Sequence, residues 1–122
     1  MVTDIWQPLN RELDRWYEAG KRADFWLRDD DAVVPTPALT QLLDLSARHS
    51  VPVALAVSPE TTGQPLAEYL SNRPLVTVAV HGWSHSNFAG DGEKKQELGL
   101  HRPIEVVTAE LKAGLIRLEA LH

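Results

Sequence analysis

The 122-residue chain predicts an α/β fold in which parallel strands alternate with helices. Three observations carry that expectation. Apolar runs at residues 25–27, 51–57 and 75–80 are each followed by a stretch whose apolar residues recur at helical spacing. The runs are continuous rather than alternating, as in strands covered on both faces. The order, one helix and then strand and helix three times over, is that of a parallel sheet with right-handed crossovers.

Each element has its own reason. Trp6, Leu9, Leu13, Trp16 and Tyr17 recur at helical spacing, Pro8 suits a first turn and Gly20 a stop, so the chain opens with an amphipathic helix in which Trp6 and Trp16 are packing residues. Residues 25–28 make a short strand that runs into the acids Asp29, Asp30 and Asp31. Thr36 before Pro37 is an N-cap followed by proline at the first helical position. The helix that follows carries Leu39, Leu42 and Leu43 on one face and ends near His49, where a cation favours the helix dipole. Residues 51–57 form a strand buried on both faces, a short helix lies around residues 66–70, and residues 75–80 form a third buried strand. Residues 91–96 are polar and read as a loop with Lys94 and Lys95 in solvent. Ile104, Val107, Leu111, Leu115 and Leu118 then mark a long amphipathic helix.

Composition narrows the function classes. Twelve Lys and Arg stand against 17 Asp and Glu, a formal charge of -5, and no basic stripe exists to track a phosphate backbone, which argues against nucleic acid as a partner. There is no cysteine, so disulfide frameworks and thiolate metal sites are excluded and any metal must be held by nitrogen and oxygen. No run has membrane-spanning length, and the first residues lack the basic start and apolar stretch of an export signal. The expectation is one cytoplasmic α/β domain over residues 1–122, without a membrane partner.

The chemistry-bearing residues fall after the strands, at the carboxyl edge of the sheet where parallel α/β folds bind their ligands. Asp29, Asp30 and Asp31 follow the first strand, Ser58, Pro59 and Glu60 the second, and His81 and His85 the third. Taken alone, three consecutive acids read more readily as a solvated capping turn, and two histidines four apart as unrelated loop residues. Found together at the ends of strands, they form a donor set of imidazole and carboxylate that suits Zn²⁺ with an open coordination position. His49 and His101 have plainer readings, at a helix end and on the surface.

The paired acids after one strand, followed by His81, Gly82, Trp83, Ser84 and His85 after a later one, resemble the first two motifs of the polysaccharide deacetylase family, the NodB-like carbohydrate esterases. The run of Trp26, Leu27 and Arg28 before the acids and Asn87 after the histidines is similar to its divergent bacterial members. The resemblance implies that Asp30 is the catalytic base and that Asp31, His81 and His85 bind a divalent metal, most naturally zinc. Asp29 leaves a second register open, in which Asp29 and Asp30 form the working pair. The family fold is an irregular β/α barrel, and barrels of this class need roughly 200 residues or more. The resemblance therefore implies a partial barrel, the N-terminal portion of a larger domain. Two positions depart from the family pattern: Ala32 stands where the family has glycine, and Gly82 where it has serine or threonine.

The implied reaction is hydrolysis of an acyl amide, an N-acetyl group on a sugar being the foremost substrate, with Arg28, Trp83 and Asn87 as substrate contacts. Two other readings stay open. One keeps the enzyme class and changes the substrate to a small cyclic amide or carbamoyl compound; the other makes the chain a non-catalytic metal-binding or structural module. Half a barrel has an open sheet edge and apolar helix faces, so a homo-oligomer is expected.

Overall fold

The computed structural model describes residues 3–122. Its elements follow the expected order: α1 (Gln7–Glu18), β1 (Leu27–Ala32), α2 (Pro37–His49), β2 (Val53–Val57), α3 (Gln64–Leu70), β3 (Val76–Val80) and α4 (Ile104–Leu121). The strands make one parallel sheet in the order β1-β2-β3. It is an open three-stranded sheet rather than a closed barrel.

The core lies under the central strand. Leu43 of α2, Val53, Leu55 and Val57 of β2 and Leu66 of α3 are fully buried, and Leu118 of α4 joins the same cluster. Each such side chain is worth about 1.5–3 kcal/mol relative to exposure. Helix α2 begins where the sequence says it must: Thr36 Oγ1 accepts the Leu39 N–H at 3.1 Å, and Pro37 lacks the donor that the first turn leaves orphaned. It ends on Ser50 in the left-handed region, φ 55°.

Three expectations are corrected. The first strand is not at residues 25–28 but at Leu27–Ala32, so the acids lie within the ladder rather than after it. Parallel pairing with β2 sets those bounds: Leu27 stands opposite Val53, and Ala32 opposite Val57. Phe25 and Trp26 precede the strand and are exposed. The third strand is half covered rather than buried. Val76, Val78 and Val80 turn toward the core while Thr77 and Ala79 face out, because β3 is an edge strand packed on one face. Helix α1 forms, with Gly20 at φ 66° closing it, but none of its residues is buried among the described residues. Trp6 and Trp16, expected to pack, are 62% and 41% exposed. Apolar periodicity specifies a face; it does not specify what covers it.

Candidate metal centre

The acids reach the histidines through a bulge. Asp29 pairs with Leu55 and Ala32 with Val57, so Asp30 and Asp31 stand opposite Ala56 alone. Two residues against one is a β-bulge, a device that re-aims a side chain where strict alternation would send neighbours to opposite faces. Asp31 takes φ 66°, in the left-handed region that aspartate tolerates better than most residues. On the other side of β2, the His81 N–H continues the β-ladder to the Val57 carbonyl at 3.0 Å. The chain then turns through Gly82 at φ 59° and His85 at φ 58°. Two of the three described non-glycine residues with positive φ are therefore Asp31 and His85, the third being the helix cap Ser50. Such strain collects at functional sites.

The result is a compact donor set. Asp31 Oδ1 lies 2.7 Å from His81 Nε2 and 3.0 Å from His85 Nε2. The imidazoles stack with centroids 5.3 Å apart and planes 25° from parallel. One ligand atom from each residue falls within 4.8 Å of the others. Bonds of about 2.0–2.1 Å at tetrahedral angles would separate donors by about 3.3 Å, so holding an ion would need the 2.7 Å contact to open by about half an ångström. Two imidazoles and one carboxylate match the three protein ligands of a catalytic zinc site with a position left open. His81 is three-quarters covered, whereas Asp31 and His85 are more than half exposed, which leaves the set accessible to solvent.

The remaining residues divide around this set. Asp29 and Asp30 border a cleft of about 460 Å³ with Asp31 and the start of α2. A second cleft, about 530 Å³, is lined by Arg28, His81, His85, Asn87, Lys95 and Glu97. Arg28 Nε pairs with Asp30 Oδ1 at 2.5 Å, linking the two clefts. Asn87 lines the second cleft, but its Oδ1 already accepts the N–H groups of Ala89 and Gln96 at 3.1 and 3.0 Å. Trp83 is not part of that lining; its carbonyl accepts the Glu60 N–H at 3.0 Å and its own N–H is donated to Glu97. The turn after β2 is structural too: Ser58 and Pro59 are buried, and Arg117 Nε donates to the Pro59 carbonyl at 2.7 Å.

Sequence reasoning missed Glu97. Its carboxylate accepts the N–H groups of Trp83 at 2.9 Å, Ser84 at 2.7 Å and His85 at 3.1 Å, and lies 3.3 Å from the Ser84 hydroxyl. Partial burial disfavours its charge, but the backbone donors of Ser84, Trp83 and His85 outweigh it and hold the pKa below the usual value. The sole sequence signal was Gly82, since a Cβ there would overlap Glu97 Oε2 and stand 2.8 Å from Cδ.

The loop carrying Glu97 has its own clasp, His101 Nε2 at 2.6 Å from Glu93 Oε2. The hydrogen bond with His101, then the Gly90 N–H, lower the Glu93 pKa from 4.5. A carboxylate depressed on folding contributes stability above its unfolded pKa and loses it as pH falls through the folded one. A carboxylate NMR titration should therefore give Glu93 a midpoint below 4.5, moving back up in His101→Ala; a midpoint unmoved by that substitution would contradict the clasp.

No helix among the described residues is long and apolar enough to cross a membrane. Compared with protein-family models, with curated proteins and with solved structures, the chain matches none.

Proposed function

We propose that this chain carries the metal centre of a hydrolase of the polysaccharide deacetylase type, acting on an acyl amide, with an N-acetylated sugar as the foremost substrate. The observation that supports this reading is the convergence of Asp31 Oδ1 on His81 Nε2 at 2.7 Å and His85 Nε2 at 3.0 Å. Those three atoms would hold a divalent ion, zinc by preference. When bound, such an ion lowers the pKa of water toward 7 and polarises a carbonyl. Asp30 Oδ1, oriented by Arg28 Nε at 2.5 Å, takes the proton of the attacking water. The water oxygen adds to the acyl carbon, the proton held on Asp30 passes to the nitrogen as the C–N bond breaks, and the products are a carboxylate and an amine. Arg28 and Asn87, both on the cleft of the histidines, are the groups available to the sugar.

Metal analysis of the purified protein, paired with an N-acetyl hydrolysis assay, tests this reading. One zinc per chain accompanied by activity supports it, and a chain that takes up no divalent ion from a stoichiometric supply rejects it. A cyclic amide or carbamoyl compound as the substrate in the same assay would keep the metal centre and change the acyl group.

A second reading makes the chain a non-catalytic unit that associates with a second copy. It draws on the two open strand edges, β1 and β3, and on exposed Trp6, Tyr17, Phe25 and Trp26. Light scattering decides it: a dimer without hydrolytic activity favours this reading, and a monomer ends it.

A further inference from the structure

We infer that Glu97 is the positioning residue of the metal centre, fixing the turn from Gly82 to His85 so that the His85 ring faces Asp31. This inference rests on the metal-centre reading and names the group that builds the site. The turn needs an external brace for a physical reason. Its backbone enters the left-handed region twice, at Gly82 and again at His85, and so leaves consecutive N–H groups pointing the same way with no ladder partner. One carboxylate satisfies three of them: Oε1 takes Trp83 and Ser84, and Oε2 takes His85. Gly82 completes the arrangement, since any side chain there would occupy the space of that carboxylate.

Glu97 is itself anchored from α4. Arg102 Nη2 donates to the Glu97 carbonyl at 3.3 Å, and Arg102 Nη1 is held by both carboxylate oxygens of Glu110 at 2.9 and 2.8 Å. The Arg102 guanidinium lies 3.7 Å over the Phe88 ring. Helix α4 thus supports the turn that carries one ligand, while β1 and its bulge supply another. A side chain that locks a ligand's orientation commonly governs metal affinity by about 10–100-fold without touching the ion.

The test compares wild type with Glu97→Ala and with the conservative Glu97→Gln, which keeps one acceptor oxygen. In the metal-free proteins, amide exchange at Trp83, Ser84 and His85 should accelerate at least about tenfold in Glu97→Ala and less in Glu97→Gln, with the amides of β2 unchanged. The His85 ring resonances should move while those of His49 stay put. Zinc affinity, measured by competition with a chromophoric chelator, should weaken about 10–100-fold in Glu97→Ala and be partly restored in Glu97→Gln. Unchanged exchange at these amides overturns the inference. So does equal zinc affinity in wild type and Glu97→Ala. Exchange accelerated equally across β2 also overturns it, since that would be loss of fold rather than of position. Should wild type take up no zinc, the metal-centre reading fails by itself, and the exchange and ring resonances still decide whether Glu97 holds the turn.

Discussion

Asp31→Asn should abolish zinc uptake while leaving the fold intact. Asparagine is isosteric with aspartate and, like it, tolerates the left-handed backbone that Asp31 occupies at φ 66°. The bulge therefore survives, and only the anionic ligand is lost. Removing a neighbour of a ligand costs metal affinity about 10–100-fold, so removing the ligand's charge should cost more than about 100-fold, with any hydrolytic activity falling in step. His81→Ala should do the same from the other side of the set. Melting of the two metal-free variants separates them: Asp31 is largely exposed and its exchange for asparagine should leave stability nearly unchanged, whereas the three-quarters covered His81 also leaves a gap. Activity and zinc content equal to wild type in both variants would defeat the proposed function outright.

Leu55→Ala should be the most destabilising single core change. Leu55 is 0% exposed at the centre of the middle strand, with Asp29 beside it on β1 and Val78 on β3. Truncation removes apolar contact and leaves a cavity that the two flanking strands cannot both close, a loss of about 2–5 kcal/mol. That is a large part of the 5–15 kcal/mol typical of a domain, so urea unfolding should shift visibly. The loss should also reach the site, because the pairing of Asp29 and Ala32 to β2 holds the bulge that carries Asp31, and the His81 N–H is bonded to the Val57 carbonyl of β2. A midpoint displaced by less than the equivalent of about 1 kcal/mol would mean that the sheet is not the structural centre of the molecule.

Much of the architecture was legible in the amino-acid order. The order of the seven elements, the Thr36 cap and the long last helix follow from local pattern, whereas the bounds of β1 come from its pairing with β2. The carboxyl-edge position of His81 and His85 was legible too, since it needs only the direction of a parallel strand. Which acid meets them was named only through the family resemblance, as Asp31, with a second register through Asp29 and Asp30 left open. Asp29, Asp30 and Asp31 are chemically equivalent in a row, and a single bulged position opposite Ala56 sends Asp31 to the histidines and leaves Asp30 with Arg28. Glu97 was hidden for a related reason: it lies 12 to 14 residues beyond the amides it binds, across a loop with no periodic signal.

By itself, the order of residues determined the alternation of strand and helix, the nitrogen and oxygen donors and the absence of thiolate chemistry, because these depend on residue type and near neighbours. Only the tertiary structure decided the strand register, the bulge, which of the two open registers of acids faces the histidines and the bracing of the histidine turn, and it left Trp6 and Trp16 uncovered. Contacts between residues about fifty positions apart depend on how strands pair, and a one-residue slip in that pairing would turn a different carboxylate toward the same two rings.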